Sequence, residues 1–208
     1  MAITTYTELK ASVADWLNRE DLTSQIPDFI TFAEARFNRT LRVREMLTRR
    51  HNLTTSEFIK LPVDYLETYQ LQLPALATQT PEPLTYIAPD DVAKLNANGI
   101  NGATRYYTII DGSFQLIPPP SSNGADLYIT YYAKIPSLSS ANATNWLLTK
   151  APDLYLYATL ANAAPYLNND ERIPVWAQLA SSAFDELMMD SERASRSRTN
   201  LTARARGF

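Results

Sequence analysis

The residues with catalytic potential in this sequence are few, and their spacing does not favour an active site. The only histidine is His51, next to Arg50, and the chain has no cysteine, so a metal site with several histidine or thiolate ligands is not expected. A Ser-His-Asp arrangement would have to use His51, and no Gly-x-Ser-x-Gly turn accompanies it. We therefore predict no catalytic residue, metal site or cofactor, and we interpret His51 as a polar position in a strand.

Carboxylates are the remaining groups that could supply an acid and a base, as glycoside hydrolysis requires. The candidates are Glu34, Asp64, Glu67 and the pair Asp170-Glu171. No pattern sets a distance between any two of them, and Asp170-Glu171 is better explained as favourable charge at a helix amino terminus. A peptidoglycan hydrolase is therefore an alternative hypothesis and not the leading one. Phosphate-binding motifs of the Gly-x-Gly-x-x-Gly and Gly-Lys-Ser/Thr types are absent from the sequence.

Composition predicts a folded protein with a substantial core. The chain has 208 residues, of which 45% are hydrophobic and 20% charged, which fits one domain or one domain with a large insertion. The amino-terminal sequence MAITTYTELK lacks the basic and apolar regions of a secretion signal. No run approaches the roughly 18 apolar residues that a membrane span needs. We expect a protein that is made in a reducing cytoplasm and has no membrane partner.

Net charge is only −3, but arginine is concentrated in two segments. Six arginines and one glutamate lie between Arg36 and Arg50, and five arginines without any acidic residue follow Glu192. The first group has three interpretations: a solvated face, a paired subunit interface, or a DNA contact. Phosphate binding needs cations that converge on one surface, so we favour an interface over a DNA-binding accessory protein, which stays an alternative.

The amino-terminal third predicts two helices. The first, over Thr7–Asn18, has an apolar stripe that includes Trp16, and Thr5 with Glu8 has the form of a capping box. The second begins near Ser24 and its pattern fades near Leu47. Pro27 is tolerated there because first-turn amides have no partner within the helix.

From there to about Pro136 the chain has strand and turn signals. Asp111-Gly112 favours a type I′ turn, so Arg105–Ile110 and Ser113–Ile117 predict a hairpin. A short helix is predicted over Asp90–Ala97. The remaining predicted strands are Thr48–Thr54, Glu57–Leu61, Leu66–Leu73 and Asp126–Ala133.

The last third predicts two more helices and a tail. The third helix, about Pro152–Ala164, is apolar nearly all round, so either its own bundle or neighbouring subunits must cover it, and Tyr155 is a candidate for the second case. A fourth helix is capped near Asp170 and runs to about Ser191. Beyond Glu192 the sequence SERASRSRTNLTARARGF has too few large apolar residues to order by itself.

Together these elements predict an α+β fold, with a four-helix bundle that is interrupted by a β-rich insertion of sandwich or barrel-like form. The predicted parts are residues 1–47 and 145–192 for the two halves of the bundle, 48–136 for the insertion and 193–208 for an extended basic tail.

Two dense segments, Gln25–Met46 and Asn145–Trp176, carry a resemblance to a known family. Further short sequences in the same order support it: Ala33-Glu34-Ala35-Arg36, Arg42-Val43-Arg44-Glu45, Leu61–Leu66, Tyr131–Pro136 and Asn145-Trp146-Leu147-Leu148. In these the chain resembles the head-to-tail adaptor (connector) proteins of tailed double-stranded DNA bacteriophages. The resemblance implies a structural protein of the virion neck, made in the host cytoplasm.

The resemblance also implies partners. These are a portal protein, a tail or nozzle protein, and further copies of the chain in a ring, usually taken as twelve-fold, through which DNA passes without specific binding. We predict that the tail binds the portal, with arginines pairing carboxylates and an aromatic anchor; its residues are Arg193, Arg196, Arg198, Arg204, Arg206 and Phe208. The predicted subunit interface consists of Arg36, Arg39, Arg42 and Tyr155. The hydrolase alternative would then be tail-associated.

Overall fold

The computed structural model describes residues 3–73, 82–97, 102–120, 125–167 and 170–195. The chain divides into two compact units. The helical unit combines the segment up to Glu45 with the segment from Ile135 onward, and the β unit is the continuous segment Met46–Lys134. The α+β class is confirmed, while the regular four-helix bundle stays a prediction.

The described residues form six α-helices and eight strands. The helices are α1 (Tyr6–Leu17), α2 (Ile26–Thr40), α3 (Pro89–Ala97), α4 (Trp146–Lys150), α5 (Pro152–Asn162) and α6 (Arg172–Ser195). The strands are β1 (Leu47–Thr54), β2 (Phe58–Lys60), β3 (Tyr65–Leu73), β4 (Glu82–Pro83), β5 (Thr85–Tyr86), β6 (Tyr106–Ile110), β7 (Ser113–Ile117) and β8 (Ala125–Ala133).

Helix α5 is the centre of the helical unit. It contacts α1, α2, α4 and α6, and its side chains are buried on several sides because few of them are polar. The chain thus covers α5 with its own helices. Tyr155 is completely buried, so it belongs to the interior of its own chain, and the prediction that it lies at a subunit interface is corrected on this ground.

Local signals set the helix ends, with some differences from the sequence prediction. The capping box of α1 is formed as predicted, with Thr5 and Glu8 bonded reciprocally. Helix α2 stops at Thr40 and not near Leu47, because Leu41 is already extended. Trp16, which belongs to the predicted apolar stripe of the first helix, is exposed. The short helix α4 was not predicted, although the Asn145 side chain caps it by accepting the amide of Leu148.

The end of α6 also differs from expectation. The helix continues to Ser195, so Arg193 lies in a helix and not in an extended tail. A tertiary contact holds this part of the helix, because Ser191 is buried and its hydroxyl accepts the backbone amide of Arg44. The rest of the predicted tail, with Arg196, Arg198, Arg204, Arg206 and Phe208, lies outside the described residues.

The β unit contains two four-stranded sheets, ordered β1-β8-β3-β4 and β2-β7-β6-β5. All pairs are antiparallel except β5 with β6. One buried cluster draws side chains from both sheets, among them Leu71, Ile129 and Tyr131 from the first and Phe114 from the second. The sheets therefore share a core in the manner of a small sandwich.

The β6–β7 hairpin is confirmed. Asp111 and Gly112 both have positive φ, 48° and 63°, as a type I′ turn requires. Strands β4 and β5 were not predicted, since two residues each are too short for a periodic signal.

Candidate functional site

A buried polar cluster in the helical unit joins three of the segments that carry the family resemblance. Glu34 of α2 is 4% exposed, and its Oε1 accepts the amide of Leu138 at 2.8 Å and the hydroxyl of Tyr155 at 3.2 Å. Burial raises the pKa of Glu34 above its ordinary value, although these hydrogen bonds oppose the shift. A carboxylate in this setting has partners that account for its position without any catalytic role.

Asn145 completes the cluster. Its amide nitrogen donates to the Tyr155 hydroxyl at 2.7 Å and to the Pro136 carbonyl at 2.8 Å, while its oxygen caps α4. One turn after Glu34, Asn38 accepts the amide of Ile135 at 2.8 Å. Burial raises the pKa of the Tyr155 hydroxyl, which keeps it protonated as a donor to Glu34. The cluster thus connects α2 both to α5 and to the segment between Ile135 and Asn145 that precedes α4.

An ionic cluster holds the carboxyl-terminal part of α6. Lys150, at the end of α4, contacts Glu45 at 2.5 Å and Asp190 of α6 at 2.7 Å. Hydrogen bonds to Asp190 and Glu45 raise the pKa of Lys150. Burial acts to raise the pKa of Glu45, but its hydrogen bonds, led by the one from Lys150, lower it overall. Nothing in the sequence pointed to this cluster, because its members are far apart along the chain.

The arginines of the first basic segment are divided between the units. Arg36 and Arg39 are exposed on α2, and neither forms an ion pair within the described part of the chain. Arg42 is half-buried and donates to the carbonyls of Asn38 and Leu41. Of the predicted interface residues, Arg36 and Arg39 are therefore the two with exposed, unpaired charge.

The arginines of β1 have partners in their own unit. Arg49 lies 4.5 Å from the centre of the Tyr128 ring, and Arg50 bonds Asp64 at 3.2 Å. These contacts hold both guanidinium groups on the β sheet to which they belong. They explain the two arginines as structural and do not require a nucleic acid.

A groove runs between α2 and α6 in the helical unit, with α5 beneath it. Its volume is about 260 Å³. The apolar and small residues that line it include Phe37, Thr40, Leu154, Ala158, Ala177 and Phe184. Two exposed charged residues, Arg36 and Asp185, also line it. The groove is a concave apolar surface with a charge of each sign at its edge.

The other flank of α6 bears exposed apolar side chains. Val175, Leu179 and Met189 are 54%, 37% and 52% exposed. With Ser182 and Glu186, which are also exposed, they follow a spacing of four, three, four and three residues, as helix-packing stripes do. We call these five residues the outer stripe.

Three further candidates for catalysis, Asp64, Asp170 and His51, have local partners. Asp64 accepts from Arg50 and from the Tyr131 hydroxyl, and Asp170 pairs with Arg172 at 2.7 Å. His51 bonds Asp126 at 2.6 Å and stacks on Tyr128. Among the described residues no group of three histidine, cysteine or acidic side chains is arranged to hold a metal ion.

Comparison with protein families identifies the chain. A search of curated proteins found no significant match. Separately, no helix in the described ranges is long and apolar enough to cross a membrane. The family model for the SU10 adaptor protein, however, matches residues 4–206. Since this match spans nearly the whole sequence, the chain belongs to the SU10 adaptor family, a family of phage head-tail adaptor proteins.

Proposed function

We propose that this protein is a structural adaptor that forms a ring at the neck of a bacteriophage virion, joins the portal to the tail, and leaves a channel for DNA. The family match over residues 4–206 carries the proposal. The exposed apolar groove and outer stripe of the helical unit support it, because a subunit of an assembly needs surfaces of this kind.

Within this proposal each part of the chain has a role. The helical unit, with α1, α2, α5 and α6 as a four-helix bundle, builds the ring wall. The β unit contacts the tail or nozzle protein. The segment after Ser195 contacts the portal through Arg196, Arg198, Arg204 and Arg206, with Phe208 as an apolar anchor and Arg193 at the end of α6.

A closed ring suits the mechanical task. Ring closure multiplies modest contacts between copies, so the joint can hold against packaged DNA without an exceptional affinity at any one interface. A channel through which DNA must slide is poorly served by tight phosphate contacts. Arg36 and Arg39 therefore serve protein contacts in this proposal, and DNA passes without specific binding.

The test is the mass of the complexes, measured by size-exclusion chromatography with light scattering. The full chain is run alone and mixed with the portal protein of the same phage, together with a chain that ends at Ser195 and a full-length chain with its four tail arginines changed to glutamine. We expect the full chain to elute with the portal at a mass that includes many copies. The two variants should lose portal binding while circular dichroism stays unchanged. No association of the full chain would contradict the proposal.

A further inference from the structure

We infer that the outer stripe of α6 in one copy docks into the α2–α6 groove of the next copy, so that the ring is built from one repeated head-to-tail contact. This inference rests on the proposed ring and names the surfaces that close it. Its basis is the pairing of a convex apolar stripe with a concave apolar groove on two flanks of the same helix.

The two surfaces are separated by the buried face of α6. Trp176, Ala183 and Leu187 form that face and are buried. At about 100° per residue, Ala177 and Phe184 of the groove lie on one side of it, and Val175 and Leu179 lie on the other. A copy that uses one surface as the knob therefore keeps its groove available for another copy.

Size and polarity fit this arrangement. A cavity of about 150 Å³ accepts a benzene ring, so the groove of about 260 Å³ has room for more than one aliphatic side chain. Val175 and Leu179 lie one turn apart and are the two largest apolar side chains at the amino-terminal end of the stripe. Single exposed apolar residues are ordinary, but three of them on one flank of the same helix, Val175, Leu179 and Met189, indicate a partner.

Charge fits as well. Glu186 lies in the stripe between Leu179 and Met189, and within the described ranges it has no ion-pair partner. Arg36 at the groove and Arg39 nearby are unpaired in the same sense. In a docking that sets Glu186 against Arg36, and away from the Asp185 carboxylate that also lines the groove, an unpaired carboxylate meets an unpaired guanidinium group, which favours this orientation.

A two-fold contact of stripe against stripe fits less well. In an antiparallel pair centred on Ser182, Glu186 of each helix would face Leu179 of the other helix. In a parallel pair, Glu186 of one copy would face Glu186 of the other copy. Both arrangements bury a carboxylate without a cation, which is costly. Contacts between two different surfaces, by contrast, extend from copy to copy and give either a closed ring or an open helical filament.

Substitutions test the contact in the full-length chain. Val175→Asp should weaken the apparent affinity between copies at least tenfold. The mass of the assembly, formed alone or on the portal, should fall accordingly, while the circular dichroism spectrum stays unchanged. Val63→Asp is the matched control, because Val63 is 95% exposed in the β unit; it should leave assembly unaltered. Glu186→Arg and Arg36→Glu should each weaken assembly, and the double variant should recover it.

Cysteine cross-linking tests the pairing directly, since the chain has no cysteine of its own. Leu179→Cys chains mixed with Ser181→Cys chains, with portal present, should form disulfide-linked dimers on oxidation, while neither variant alone should. Self-linkage of Leu179→Cys would show a two-fold contact and overturn the inference, as would assembly with no cross-link in the mixture. A wild-type chain that never associates with itself or the portal overturns the ring together with the contact, whereas a wild-type ring that tolerates Val175→Asp overturns the contact alone.

Discussion

The interiors of the two units of this chain are stabilised by different chemistry. In the β unit, one apolar and aromatic cluster joins both sheets, with Phe114 lying against Tyr65 and Tyr107. In the helical unit, buried polar side chains supplement the apolar contacts, and Glu34 reaches Leu138 across 104 residues of sequence. Apolar packing supplies stability from many interchangeable contacts, while a hydrogen-bonded cluster requires particular partners in particular places. The helical unit is therefore the part whose geometry is specified residue by residue.

Phe114→Ala is the strongest test of the apolar half of this comparison. Removal of the ring leaves a cavity between the sheets, and we expect a loss of about 3–5 kcal/mol in the stability of the β unit. Hydrogen exchange with mass spectrometry should locate the lost protection in β1 to β8. Phe58→Ala is the matched control, since Phe58 is exposed in β2, and its effect should stay within about 0.5 kcal/mol. Equal losses for the two variants would contradict a core at Phe114.

Asn145→Ala tests the polar half. It removes the cap of α4 and leaves the Tyr155 hydroxyl and the Pro136 carbonyl without their donor. We expect a loss of about 2–3 kcal/mol, measured by urea unfolding, with lost exchange protection in the helical unit. Asn162→Ala removes one local hydrogen bond at the end of α5 and should cost about 1 kcal/mol or less. If Asn145→Ala lost no more stability than Asn162→Ala, the polar cluster would not be what fixes the geometry of the helical unit.

Gly112→Ala tests a local feature of the β unit, the turn between β6 and β7. Nothing lies within 4 Å of an added Cβ, so the cost comes only from the positive φ of 63°. We expect a loss of about 1 kcal/mol, read from thermal unfolding. Asp111→Asn at the neighbouring turn position should be nearly neutral, because asparagine tolerates this conformation. A loss above about 3 kcal/mol would mean that the turn is constrained by more than its backbone.

The pH dependence of Glu34 has the smallest expected effect. Its folded-state pKa is raised, so its contribution is fully present below the unfolded pKa and is lost as pH rises through the folded pKa. Wild type should therefore lose stability relative to Glu34→Gln as pH rises above the unfolded pKa of about 4.3. Urea unfolding of both proteins across this range measures the difference. The opposite slope would mean that hydrogen bonds outweigh burial at this carboxyl.

Local features were predictable where a residue type alone dictates the backbone. Thr5 and Glu8 gave the start of α1, and Asp111-Gly112 gave the hairpin, because caps and tight turns depend on a few adjacent residues. The all-round apolar pattern of α5 correctly indicated that it must be covered on several sides. The short strands β4 and β5 escaped prediction, since two-residue strands exist only through their neighbours.

The candidate surfaces were less predictable. Arg36 and Arg39 were identified from charge and are exposed, and their place at a subunit interface stays a prediction. Tyr155 was assigned to a surface and is buried. A tyrosine on an apolar helix can lie inside when its hydroxyl finds partners, and here the partners are Glu34 and Asn145. Such long-range partners leave no periodic signal in the sequence.

By itself the sequence determined the class of the fold, the capping box of α1, the hairpin and the adaptor resemblance, because each depends on neighbouring residues or on their order. Only the tertiary structure decided that Glu34, Asn145 and Tyr155 meet, that Lys150 bridges Glu45 and Asp190, and that α6 extends to Ser195. It also separated the groove from the outer stripe on the two flanks of α6. The physical reason is that burial and hydrogen bonding depend on which distant segments pack together, and helix periodicity alone does not choose among the possible partners.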